Sequence, residues 1–113
     1  VQSTGEFING NKQGMWDWNS EDGKDHTRSN YVDDLQHGSH LYWNEDGRKE
    51  LSQFNKGQLT GPFKEWFPNG KLKEESNWIN WKANGPFTYY NEEGKIIFKG
   101  EYKDDKLDWV KAY

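Results

Sequence analysis

Apolar and polar positions alternate along this chain in short runs and never settle into a helical period. Trp16 and Trp18 are two apart, as are Phe87 and Tyr89, and Ile96 and Phe98. That spacing puts both members of each pair on one face of a strand. Gly and Asn interrupt the runs throughout, and each would cost up to about 1 kcal/mol in a helix interior. The pattern predicts short antiparallel strands joined by tight turns.

The runs repeat. Gly14, Gly38, Gly61 and Gly85 are spaced 24, 23 and 24 residues apart. A second glycine follows each of them (Gly23, Gly47, Gly70, Gly94), and an aromatic residue precedes each (Phe7, Tyr31, Phe54, Trp78), with Tyr102 continuing the aromatic series. Three series in constant phase define about four and a half hairpin units over residues 5–113, preceded by a frayed leader at 1–4. Each second glycine closes an acidic or Asn-containing turn. Asn69-Gly70 reads as a type I′ pair, and Glu21-Asp22-Gly23, Glu45-Asp46-Gly47 and Glu92-Glu93-Gly94 read as three-residue turns with a left-handed glycine. Unit two is one residue short between Gly47 and Phe54, which predicts a bulge or register change in its second strand.

The run Gly61-Pro62-Phe63-Lys64-Glu65-Trp66-Phe67-Pro68-Asn69-Gly70-Lys71-Leu72-Lys73-Glu74 carries a recognisable signature, nearly matched by Gly85-Pro86-Phe87 through Gly94-Lys95-Ile96-Ile97. It resembles the bacterial variant of the MORN repeat, in chains commonly classed as YwqK-type antitoxin-like proteins. Units one and two match less closely: His40 replaces the first aromatic, and Asp25 and Lys49 replace Leu72. The resemblance implies an all-β fold of stacked hairpins in one elongated, curved antiparallel meander sheet. It implies protein or membrane-surface interaction and no catalytic residues.

Composition sharpens the picture. Only 31% of the 113 residues are hydrophobic, yet they include seven Trp, six Tyr and six Phe. A mean hydropathy of -1.30 would suit a disordered chain, but disordered chains are poor in aromatics. The expected core is therefore aromatic: Phe7, Trp16, Trp18, Tyr31, Trp43, Phe54, Phe63, Trp66, Trp78, Phe87, Tyr90, Phe98 and Tyr102, with Leu41, Leu51, Leu72 and Ile96. No apolar run approaches the roughly 20 residues of a spanning helix. The absence of cysteine removes disulfides and thiol chemistry. A formal charge of -4 disfavours nucleic acid and favours a basic protein partner. Basic residues cluster only modestly, at Lys71, Lys73 and Lys82, so a membrane surface is a weak candidate.

Catalytic chemistry finds no foothold. His37 and His40 fall on opposite strand faces at their spacing, and no cysteine helps to complete a zinc site, so no metal or cofactor is expected. Adjacent acids such as Asp33-Asp34 and Asp104-Asp105 make no acid–base pair without a facing partner. No serine stands in a nucleophile elbow and no glycine-rich loop precedes a helix.

What remains is surface. Trp81 stands where other units carry Asp34 or Gly57, and Trp109 lies near the terminal edge. With Tyr42 and Tyr89 they are the expected contact aromatics, flanked by Asp33, Asp34, Asp104 and Asp105 to attract a cationic partner. Two functions fit: an antitoxin or immunity protein that occludes a basic toxin in the cytoplasm, or an exported protein that binds carbohydrate or cell envelope. The absent initiator Met fits an exported, cleaved form or a chain boundary of other origin.

Overall fold

The computed structural model describes residues 2–113, with side chains from residue 3 onward. Twelve strands form one open antiparallel sheet. In chain order they are β1 (Gln2–Ile8), β2 (Asn11–Asn19), β3 (Asp25–Val32), β4 (Leu35–Asn44), β5 (Lys49–Asn55), β6 (Gln58–Leu59), β7 (Gly61–Trp66), β8 (Leu72–Ile79), β9 (Lys82–Ala83), β10 (Gly85–Tyr90), β11 (Ile96–Lys103) and β12 (Lys106–Ala112). Neighbours in sequence pair throughout, with short β6 against β5 and short β9 against β8. The molecule measures 50 × 32 × 15 Å, one sheet thick, as the hairpin meander requires. Val1 lies outside the described residues, but Gln2, Ser3 and Thr4 pair with Asn19, Trp18 and Asp17, so this part of the expected leader is the outer half of β1.

Two kinds of turn alternate along the chain and lie on opposite edges. On one edge, Asn9-Gly10, Asp33-Asp34, Lys56-Gly57, Asn80-Trp81 and Asp104-Asp105 each have positive φ at both residues, the signature of type I′ turns. On the other, Gly23, Gly47, Gly70 and Gly94 close wider turns, each N–H donating to the carbonyl three residues back. Asn69 keeps a negative φ, and the Phe67 N–H reaches the Lys71 carbonyl at 2.8 Å. The turn at Gly70 is therefore a three-residue turn with a left-handed glycine, like its neighbours, and not the expected type I′ pair. Pro68 decides this, because its fixed negative φ starts a type I turn and pushes the left-handed position back to Gly70.

The short unit is also built differently from expectation. In β7–β8 and β10–β11 the register slips by one residue near the turn, between Glu65 and Trp66 and between Tyr89 and Tyr90. The β4–β5 ladder runs unbroken from Gly38↔Phe54 to Trp43↔Lys49. The residue missing from unit two is thus the bulge residue itself. Its loss straightens the ladder and leaves the strand faces in phase with the other units.

One row across the sheet explains how so polar a chain packs. Small residues recur in the repeat phase at Gly5, Ser29, Ser52, Ser76 and Gly100. Each serine pairs with a large ring: Ser29 with Trp16 and His40, Ser52 with His40, and Ser76 with Phe63, while Gly100 pairs with Phe87. Large and small side chains alternate, so each ring lies over its small neighbours. The serines are buried at 6–8% exposure, and Phe87 at 6%. At Gly100 a Cβ would sit 2.5 Å from the Phe87 ring and 2.3 Å from the Trp109 carbonyl, so only glycine fits.

The expected aromatic core is accordingly shallow. Among the described residues only Phe87, with Ala83, is both hydrophobic and buried; Phe7 and Phe98 are exposed at 61% and 44%. The reason is architectural, since a single layer has no opposing layer to cover either face. Phe7 sits on the edge strand and Phe98 faces only Ala112 on its outer side.

Candidate functional site

The expected contact residues fall in three places. Tyr42 and Tyr89 share one face of the sheet, half-buried. Trp109 pairs with Glu101, next to Gly100, and so by strand alternation faces the other way. Trp81, Asp33, Asp34, Asp104 and Asp105 line the type I′ edge.

That edge is a ladder of hydrogen bonds. In the last four of its turns the second residue donates its N–H to the preceding unit: Asp34 to the Lys12 carbonyl, Gly57 to Gln36, Trp81 to Leu59 and Asp105 to Ala83, at 2.7–3.0 Å. Two of the aspartates also close the link from the other side, Asp34 Oδ1 accepting from the Lys12 N–H and Asp105 Oδ1 from the Ala83 N–H. First turn residues use the preceding unit's side chains: Lys56 donates to His37 Nδ1, Asn80 to Thr60 Oγ1 and Asp104 to Asn84 Oδ1. Asp33 accepts from Gln13 Nε2. Asp33, Asp34 and Asp105 thus hold the hairpins together through their carboxylates, a use that adjacent acids in a loop do not announce.

Trp81 occupies this edge at φ 69°, a conformation that bulky residues seldom adopt. It is 54% exposed and sets its ring edge-on against Phe54, with centroids 5.7 Å apart.

The face bearing Tyr42 and Tyr89 carries a feature absent from the sequence reading. Tyr42 pairs with Glu50, Glu50 with Glu65, Glu65 with Glu74, and Glu74 with Tyr89. Three carboxylates therefore stand side by side on adjacent strands between two tyrosines. Like charges directly opposite one another are destabilising. Burial, with Glu65 adding to it, pushes the Glu50 carboxyl above the usual carboxylate range. Burial does the same to Glu74, where a hydrogen bond from Ser76 opposes the shift and Glu65 reinforces it. Lys73 Nζ reaches Glu65 Oε2 at 3.3 Å. Lys73 is the bulge residue between Leu72 and Glu74, so the slip in β7–β8 supplies this cation. A signal existed in the sequence: Glu65 falls in the repeat column of Trp18, Tyr42 and Tyr89.

The histidines each have separate partners. His26 stacks on Trp43 at 5.2 Å, His37 accepts from Lys56, and His40 Nδ1 lies 2.5 Å from Ser29 Oγ. Burial holds His40 below the usual histidine range. Among the described residues no three His, Asp or Glu side chains converge as a metal site would require.

A one-layer sheet of tandem hairpins, stitched edge to edge and open on both faces, defines a class of repeat scaffold. The MORN repeat variant family matches residues 59–80 and 83–104, each span running from just after one type I′ turn into the next. The match supports a MORN-repeat protein, and such repeats are in general protein- or membrane-interaction modules. No curated protein matches the chain. Among solved structures, the S. aureus TarM G117R mutant in complex with Fondaparinux, alpha-GlcNAc-glycerol and UDP is similar, with a TM-score of 0.52 at 9% identity, covering 88% of this chain and 20% of that one. The chain thus spans a fifth of that protein's length, and the likeness concerns the fold alone.

Proposed function

We propose that this protein is a non-catalytic interaction module that binds and occludes a basic partner protein, in the manner of an antitoxin or immunity protein. The row Glu50, Glu65 and Glu74 between Tyr42 and Tyr89 carries this reading. Carboxylates held at a cost in stability on an open face are a reason to expect an incoming cation that relieves them. Flanking tyrosines supply contact area with little conformational entropy to lose. A negative chain also accelerates encounter with a positive partner and competes with the phosphate that a nuclease toxin binds.

The test is titration calorimetry against the product of the neighbouring gene at low and high salt, with Trp81→Ala and Glu65→Gln variants beside the parent protein. Association that weakens with salt and with Glu65→Gln supports occlusion of a basic partner. Absence of association, or binding to cell-wall oligosaccharides in its place, sinks that reading in favour of a carbohydrate-binding module.

A further inference from the structure

The two ends of the sheet carry corresponding cavities of similar size, about 280 Å³ at the N-terminal end and about 300 Å³ at the C-terminal end, and they differ in whether a lysine lines them. Near the N-terminus, Lys12 follows the Asn9-Gly10 turn and its ammonium lies 5.3 Å from the Trp16 ring and 5.0 Å from the Tyr31 ring. Near the C-terminus, Ala83 follows the Asn80-Trp81 turn in the same place. Its backbone bonds are those of Lys12, with Asp105 in the role of Asp34. Phe87 and Tyr102 stand where Trp16 and Tyr31 stand, their centroids 5.0 Å apart against 6.4 Å for the N-terminal pair. Glu74 occupies the repeat position of Ser3.

The C-terminal copy therefore has aromatic walls, a carboxylate and no cation of its own. A cavity of about 300 Å³ lies there, bounded by Glu74, Trp78, Ala83, Phe87, Tyr89 and Tyr102, with Asp105 also in its lining but engaged by the Ala83 N–H. Its carboxylate is oriented: the Trp78 indole N–H donates to Ser76 Oγ at 3.0 Å, and Ser76 Oγ donates to Glu74 Oε2 at 3.0 Å. An ammonium over aromatic faces is attracted by the ring quadrupole, more strongly once desolvated, and a carboxylate adds charge complementarity.

We infer that this cavity binds the side-chain ammonium of a lysine presented by a partner protein, beside the rings as the Lys12 ammonium lies beside its own pair at the other end. The biological occupant rests on the proposed basic partner; the chemistry of the pocket does not. Lys12 supplies the precedent: it lines the N-terminal cavity with its ammonium 5.3 Å and 5.0 Å from the Trp16 and Tyr31 rings. Glu74, the C-terminal member of the carboxylate row, gains from the incoming charge.

The test uses the whole protein and two blocked amino acids, N-acetyl-lysine N-methylamide and its norleucine counterpart, which keeps the stem and lacks the ammonium. Binding is followed by the NMR shift of the Trp78 indole N–H. The lysine probe is expected to saturate in the millimolar range, the scale of a single anchoring side chain, and norleucine to bind at least about tenfold more weakly. Ala83→Lys should place a resident ammonium beside the rings, as Lys12 does, and weaken binding of the probe about tenfold or more. Glu74→Gln should weaken binding about tenfold or more, and stands in should Ala83→Lys not fold. Equal binding of norleucine, no saturable shift with lysine, or undiminished binding in a folded variant overturns the proposal. If the probe fails while a basic partner still binds, the pocket is wrong and the partner reading survives. If the probe binds and no basic partner does, the reverse holds.

Discussion

Trp81 stacks edge-on against Phe54 across 5.7 Å while its own backbone is held at φ 69°. The two terms oppose each other: a side chain in the left-handed region costs roughly 1–2 kcal/mol, and an aromatic pair returns about 0.5–1.5 kcal/mol. Gly10 and Gly57 fill the same turn position without the cost. Glycine at 81 should therefore be more stable than alanine by about 1 kcal/mol, because alanine keeps the strain and loses the ring. Urea unfolding of Trp81→Gly and Trp81→Ala checks this, and a less stable glycine variant would refute the strain.

The small row makes a second expectation. At Gly70 a Cβ meets nothing within 4 Å, and only the φ of 87° resists it. At Gly100 the obstruction is the Trp109 backbone carbonyl and the Phe87 ring. Gly70→Ala should cost about 1 kcal/mol. Gly100→Ala should cost about 2–3 kcal/mol and loosen β12 first, as overpacking against a fixed backbone does. Amide exchange across Lys106–Ala112 reads the difference. Equal protection in the two variants would mean that β12 absorbs the methyl without parting.

Stability should depend on pH through the carboxylate row. Native Glu50 and Glu74 bind protons more tightly than the unfolded chain does, their carboxyls being raised above the ordinary value of 4.5. Stability contributed by these groups is present at low pH and is lost as pH rises through that window. Glu50→Gln and Glu74→Gln should each raise stability at pH 7 by roughly 0.2–1 kcal/mol. His40 acts in the opposite sense: held below its ordinary 6.5, it loses stability as pH falls beneath that value. Thermal melts between pH 4 and pH 8 should show a steeper acid loss in Glu74→Gln than in the parent chain. A lower melting temperature for Glu74→Gln at pH 7 would mean that the row is already balanced by cations.

Trp66 tests the depth of the packing. A tryptophan in a closed core costs about 3–5 kcal/mol on truncation. Trp66 is half-buried beneath Lys49, whose ammonium sits 4.8 Å from the ring. Trp66→Ala should then cost only about 1–2 kcal/mol, in proportion to the area it covers. A loss at the full core value would require more burial than one layer offers.

The sequence by itself determined the repeat, the strands and the hairpin edge at Gly23, Gly47, Gly70 and Gly94. Period-two aromatics and phased glycines are local facts, and strand alternation and left-handed turns are local physics. It also marked Trp81 and Trp109 as exposed, Trp81 because a tryptophan in a turn column breaks the column's chemistry and Trp109 because it lies near the terminal edge. Only the tertiary structure decided that the missing residue of unit two is a bulge, because a bulge is defined by the facing strand. Only it paired Ser29, Ser52 and Ser76 with the rings they underlie, and set Glu50, Glu65 and Glu74 side by side. Those relations join residues on different strands. Each glutamate alone is an ordinary polar position on an alternating strand, and the charge conflict exists only after the register is fixed.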